Sequence, residues 1–225
     1  MREEGCSTEA NVCVMRRAGA CAPGEGCVVE RSDVRELHYI TPLENVPSIL
    51  ARGILAHSLA ARLAHRSVAD EQVQGRRREK AVPGGRRLHD YVNLYICARN
   101  PMLFRLHGDH PKLCVLRVSP EVLDLPGAVI VDGNAASGYT SFWPAPAGLS
   151  FVDKDTVFAE RWTEGDQIEV WEKTRVKCAE VLVPARVDPR WILGAYVSGS
   201  AARDGLLATG SALPVTIDAH LFFVG

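Results

Sequence analysis

A carboxylate sits inside an apolar run in KCAEVLVPAR. In an extended strand Glu180 would share a face with Cys178 and Leu182. Burying an unpaired charge is costly, so Glu180 either faces water from an edge strand or faces a cleft beside a cationic partner. Arg76-Arg77-Arg78 offers such a partner. Three successive residues point in different directions around a helix, so one guanidinium can turn inward while two stay solvated, or all three can stay solvated. An inward guanidinium near a buried carboxylate suits an anionic ligand, because its planar fork binds phosphate through paired hydrogen bonds.

The stretch RRLHDYVNLYICARNPML, from Arg86 to Leu103, concentrates polar and aromatic groups in one place. Tyr91 and Tyr95 share a strand face, where they can stack on a planar ring or simply pack. His89 and Asp90 are adjacent and would point to opposite sides of a strand, so we read them as tying a loop to the core. Familiar nucleotide and hydrolase signatures are absent. There is no GxxxxGK[ST], no GxGxxG after a strand, no HExxH and no GxSxG, which argues against Walker and Rossmann sites.

These groups need a scaffold, and 225 residues, 47% of them apolar, suffice for one globular domain. The formal charge of −1 suggests neither nucleic acid nor membrane by itself. Its distribution says more. Arg62, Arg66, Arg76, Arg77, Arg78, Lys80, Arg86 and Arg87 are opposed locally by Asp70, Glu71 and Glu79 alone. Such a cluster fits a phosphate-bearing ligand, with a solvated helix face as the plain alternative. No apolar run reaches the length of a membrane span and the first residues lack a signal-peptide core, so no membrane and a cytoplasmic location are expected. Cys6, Cys13, Cys21 and Cys27 match no zinc-ligand spacing, so no metal is expected, and the odd total of seven cysteines argues against a disulfide framework.

Residues 1–34 read as a disordered tail, with Met15 a possible true start, and residues 35–225 as a single domain. A strand is expected over Glu36–Ile40, followed by a helix in TPLENVPSILARG. There Thr41 and Glu44 form a capping box, Pro42 takes the first helical position and Gly53 ends the helix. Ala60–Arg78 looks like a broken helix and Val82–Gly85 a turn. Strands follow at Tyr91–Cys97, Leu113–Val118, Ala128–Val131, Gly138–Trp143, Cys178–Val183, Leu193–Val197 and Leu221–Val224. Asn100-Pro101 opens a short helix through Leu106, Asp132-Gly133 turns the chain, and Phe151–Lys173 is polar without a clear element. The class is α+β with a mostly antiparallel sheet.

HYITPLENVPSILARGIL, VQGRR, VPGG, LHDYVNLYICARNPML and KCAEVLV, in that order across Leu37–Val197, resemble the DarT family of bacterial DNA ADP-ribosyltransferase toxins. The resemblance implies an ADP-ribosyltransferase-like fold: split antiparallel β-sheets with an NAD cleft and flanking helices. It implies transfer of ADP-ribose from NAD, as co-substrate, to thymidine or guanosine in single-stranded DNA, and a macrodomain antitoxin that removes the mark. Carried over by motif, Glu180 and Arg77 are catalytic, Arg77 also holding NAD. His38, Tyr39, Thr41, Asn45, Tyr91, Tyr95 and Met102 match the NAD-binding segments. The family pattern has Tyr-His where this chain has His38-Tyr39, so either Tyr39 substitutes or His38 reaches the site by a local shift. Pro42, Asn93-Leu94 and Asn100 also depart from it, which marks a divergent branch. Trp162, Trp171, Lys173 and Arg175 lie ahead of the catalytic strand, and Arg76, Arg86 and Arg87 lie in the basic cluster. Both sets offer stacking surfaces or phosphate contacts for single-stranded DNA. Rival readings are transfer to RNA or protein, an RNA 2′-phosphotransferase, and a non-catalytic nucleic-acid-binding module.

Overall fold

A computed structural model of the chain describes residues 27–224. The elements run β1 (Leu37–Pro42), α1 (Val46–Arg52), β2 (Ile54–Leu55), α2 (His57–Ala60), α3 (Glu71–Glu79), β3 (Tyr91–Tyr95), α4 (Pro101–Arg105), β4 (Leu113–Val118), β5 (Val129–Val131), β6 (Phe142–Pro144), α5 (Lys154–Phe158), α6 (Gln167–Lys177), β7 (Glu180–Pro184), β8 (Arg186–Val187), β9 (Ile192–Val197), α7 (Ser200–Ala208) and β10 (Val215–Ile217). Eight strands form one sheet in the order β10-β9-β4-β1-β3-β7-β5-β6, and β2 pairs with β8 apart from it. All its pairings are antiparallel except β10 with β9.

The sheet divides at its middle. β1 and β4 pair over six positions and β3 and β7 over five, but β1 meets β3 at the single position His38↔Tyr95. Each half is therefore well paired beside the middle, and one bridge joins the two halves. This is the split antiparallel arrangement implied by the family resemblance, within the α+β class read from the sequence pattern. Alternation along the strands sorts the faces. Val92, Leu94, Val181 and Val183 enter the main core with Leu37, Leu116 and Val118. Tyr91 and Leu182 pack with Val131 and Leu88 in a separate cluster. Glu180 is opposite Tyr95 across the β3–β7 pair.

Several expected boundaries move. Residues 1–26, including Met15, lie outside the described residues, but residues 27–34 are not a tail. Val29 and Val34 are buried, and the Val29 amide donates to the Val152 carbonyl at 3.0 Å. The Thr41 capping box does not form. β1 continues through Pro42, with Thr41 paired to Cys114, and the α-helix begins only at Val46 with Pro47 in its first turn. Sheet pairing outweighs the local signal there. Gly53, at φ +88°, ends α1 as expected.

The broken helix resolves into α2 and α3. The strand expected over Gly138–Trp143 is only Phe142–Pro144. Cys178 caps α6 instead of starting β7, so it does not share a strand face with Glu180. Leu221–Val224 is a turn, and the last strand is β10. His89 and Asp90 lie in a 3-10 turn before β3, not on a strand.

Candidate active site

α3 is an unusual helix in that Arg77 is its one buried residue. Asp70 caps it, its carboxylate accepting from the Val73 amide at 2.9 Å and pairing with Arg105. With no apolar stripe to dock it, the helix is anchored through charge. Arg77 Nη1 donates to both oxygens of Glu180, at 3.2 Å to Oε1 and 3.0 Å to Oε2. The Ala135 amide donates to Oε1 at 3.0 Å. Glu180 is 2% exposed and Arg77 5%. Of the two alternatives left open for the three consecutive arginines, one inward guanidinium is the one that forms, and it is the second, while Arg76 and Arg78 stay exposed.

Glu180 reaches this place because β7 is central, between β3 and β5, with Tyr95 on one side and Val131 on the other. Burial and the Glu180 charge push the Tyr95 hydroxyl well up, so it remains a hydrogen-bond donor. The loop that supplies the Ala135 amide is held from two directions. Lys80 donates to the Ser137 carbonyl, and the Asn134 amide donates to the Arg175 carbonyl at 3.0 Å. Gly133 permits that approach, since a Cβ there would stand 2.9 Å from the Arg175 carbonyl oxygen. Burial, and then Arg77 nearby, lower the Lys80 pKa.

The ion pair lies on the wall of a cavity of about 580 Å³. Tyr39, Thr41, Asn45, Tyr91, Tyr95 and Met102 line it as well, as does Arg76. His38 does not line it. Its Nδ1 lies 3.3 Å from the Tyr95 carbonyl and its Nε2 3.2 Å from Glu36, so of the adjacent pair it is Tyr39 that faces the cavity. Burial raises the Tyr39 hydroxyl pKa. Asn45 is largely committed to the protein. Its amide nitrogen donates to the Arg66 carbonyl at 2.8 Å and its oxygen accepts from the Arg66 amide at 3.1 Å, which clamps the segment crossing the cavity at residues 66–69.

The residues assigned to nucleic acid separate sharply. Trp162 is 6% exposed and packs between Phe104 and Phe223, so its assignment to a DNA surface is corrected to a core role. Arg175 lines the cavity and is also engaged within the protein. It bonds Asp132 at 3.3 Å and Glu172 at 2.5 Å, and the Glu172 partnership raises its pKa. Lys173 donates to the Glu164 carbonyl at 2.7 Å and lies 3.9 Å from Glu169. Arg86 and Arg87 are exposed but do not line the cavity. Trp171 and Arg76 do line it.

The sequence reading missed Tyr139, 76% exposed on the cavity rim, with its ring edge-on to Trp171 at 5.1 Å. It also missed the paired rings of His57 and His89, 4.2 Å apart on the cavity wall. Burial lowers the pKa of both imidazoles, and His89 also lies 3.0 Å from Gln74. An aromatic in a polar loop was the one available signal for Tyr139. Nothing in the sequence marks His57 as a neighbour of His89. Among the described residues no group of three or more potential ligands is placed to hold a metal ion.

Comparison with known proteins agrees with this fold. A family profile described as "ssDNA thymidine ADP-ribosyltransferase, DarT" matches residues 38–223. A DNA ADP-ribosyl transferase-DNA ADP-ribosyl glycohydrolase fusion protein of Thermosipho africanus is 35% identical over 198 residues, covering 84% of this chain and 50% of that protein. The chain thus spans half the length of this relative. The solved structure of Thermosipho africanus DarTG in complex with ADP-ribose superposes with a TM-score of 0.73 at 33% identity, over 84% of this chain and 51% of that one. Thermus sp. 2.9 DarT in complex with ADP-ribosylated ssDNA superposes with a TM-score of 0.75 at 22% identity, over 87% and 100% of the two chains, a likeness of fold.

Proposed function

The chain belongs to the DarT family, and from that membership we propose that it transfers ADP-ribose from NAD to a base of single-stranded DNA. The observation that carries the reading is the buried Arg77–Glu180 pair on the wall of a cavity of dinucleotide size. A volume of about 580 Å³ lies within the range of roughly 300–1,000 Å³ that small-ligand pockets occupy. The lining suits NAD: Arg66 and Arg76 offer cations for a diphosphate, and Tyr39, Tyr91 and Tyr95 offer aromatic walls for planar rings.

Breaking the nicotinamide–ribose bond leaves positive charge on the ribose. A carboxylate already fixed by Arg77 and the Ala135 amide stabilises that charge without reorganising at the moment of reaction. The same carboxylate can take the proton from the attacking base nitrogen. Tyr139 and Trp171 stand at the rim where an incoming base would stack. Residues 27–224 would act as one catalytic unit. Among them no helix is long and apolar enough to cross a membrane. A glycohydrolase that removes the mark, of the macrodomain kind implied by the family resemblance, would complete a toxin–antitoxin pair.

The test is label transfer. NAD labelled in its adenylate half is mixed with the protein and with four single-stranded oligonucleotides, each lacking one base. Label that disappears with one missing base, and with Glu180→Gln, is the expected result and names the base. Label on added RNA or protein instead would move the acceptor, and no consumption of NAD would overturn the reading.

A further inference from the structure

Off the cavity wall, a lysine and a cysteine meet beside the catalytic strands. Lys177 ends α6 three residues before Glu180 and is 1% exposed. Lysine is rarely buried without a counter-charge. Here the partners of the amine are the Val157 carbonyl at 2.9 Å, the Cys97 sulfur at 3.3 Å and the Trp162 ring at 5.7 Å, with no carboxylate among them. Burial lowers the Lys177 pKa, which favours a neutral, nucleophilic amine. Cys97 lies two residues beyond Tyr95 and is partly exposed, so a small oxidant can reach it. Neither residue lines the cavity.

We propose that Cys97 and Lys177 form a modification site, joined by a covalent sulfur–nitrogen bond when a peroxide oxidises the thiol. In the first step the Cys97 sulfur attacks one peroxide oxygen and the O–O bond breaks. The sulfur is oxidised to a sulfenic acid and the peroxide is reduced to water. In the second step the Lys177 amine attacks that sulfur. The S–N bond forms, the S–O bond breaks, and the hydroxide leaves as water with a proton from nitrogen. Two molecules of a small thiol reverse the link, restoring thiol and amine and becoming a disulfide. Cys178 is the competing nucleophile. Burial pushes its thiol up to about 12, so it stays protonated and slow to attack.

The link would tie the segment after β3 to the segment before β7, next to the hydrogen bond that the Ile96 amide donates to the Ala179 carbonyl at 3.2 Å. Those two strands carry Tyr95 and Glu180, so the link bears on the site already described. The effect on transfer rests on the transferase reading, whereas formation of the link does not.

The whole chain is treated with dilute hydrogen peroxide, digested with trypsin and analysed by mass spectrometry. The expected product joins the Cys97 and Lys177 peptides, is about 2 Da lighter than their sum, and resists cleavage after Lys177. It should vanish in Cys97→Ser and on thiol treatment, and persist in Cys178→Ser. Oxidised Cys97 with normal cleavage after Lys177 would overturn the proposal, as would a Cys97–Cys178 disulfide. In the second arm, peroxide should lower label transfer several-fold, reversibly with thiol, in the parent protein and not in Cys97→Ser. Linked protein with undiminished transfer would overturn the coupling to the catalytic strands.

Discussion

Two carboxylates, one partly exposed and one buried, sit on opposite sides of the split in the sheet, and they are satisfied by different partners. Glu36, just before β1, accepts from Arg117 Nε and from the Tyr196 hydroxyl, each at 2.7 Å, with His38 Nε2 at 3.2 Å. Burial alone would raise its pKa. Hydrogen bonds from His38, Tyr196 and Arg117 override that and hold it at about 2. Glu180 has Arg77 and one backbone amide, and its Oε2 receives a single donor. A carboxylate offers about four lone-pair sites. Each thus receives three hydrogen bonds, two on one oxygen and one on the other, but Glu36 clasps strands away from the cavity while Glu180 lies on its wall. An ion pair with an arginine is common to both. What separates the structural carboxylate from the catalytic candidate is access to the cavity, and the equal number of acceptor sites filled does not distinguish them.

The harshest way to break that comparison is Arg77→Ala. It strands a buried charge and removes the anchor of α3, so chemical denaturation should show a loss of about 3–5 kcal/mol, with transfer abolished. A stability equal to the parent's would mean the helix is docked by something else. Glu180→Gln keeps an acceptor for Arg77 and removes the charge. Transfer should fall about 100–1,000-fold, while the melting temperature shifts less than in Arg77→Ala. A rate within tenfold of the parent's would reverse the roles drawn above.

Acid sharpens the contrast from the other side. The Glu36 pKa is depressed from 4.5 to about 2, so its contribution is fully present above pH 4.5 and lost as pH falls toward 2. That loss should be about 2–3 kcal/mol by thermal melts across the window, and Glu36→Gln should flatten it while leaving neutral-pH transfer largely intact. Trp171→Ala should weaken the apparent affinity for the acceptor strand by about 1 kcal/mol without changing NAD affinity, read by titrating oligonucleotide and NAD separately. Lys173→Ala should change stability and acceptor affinity by no more than about 0.5 kcal/mol, because the ammonium is occupied by the neighbouring Glu164 carbonyl on an exposed surface. A large drop in DNA affinity there would restore the sequence-based assignment.

The catalytic candidates were legible because they break a pattern. Glu180 interrupts an apolar run, and Arg77 is the middle of three arginines on a helix whose other two remain in water. The Glu36 clasp was not legible, since Arg117 and Tyr196 join it from 81 and 160 residues away. The Ala135 amide was invisible for another reason: a backbone donor carries no side-chain signature. α6 was missed because charges ring it on several sides and hide its period. Yet Asp166, which accepts from the Ile168 and Glu169 amides, was a readable cap. Trp162 misled because an aromatic in a polar stretch looks like a surface platform. The packing that buries it comes from Phe104 and Phe223, far along the chain on either side.

The single bridge between β1 and β3 also has a bearing on the order of assembly during synthesis. Every strand of the half that carries Tyr95 and Glu180 lies between residues 91 and 184, and Arg77 precedes them. The other half cannot close until β9 and β10 have been made. A chain leaving the ribosome therefore exposes both partners of its ion pair before the last strands of the opposite side emerge. Fusing arrest sequences at successive lengths would register two separate folding events instead of one.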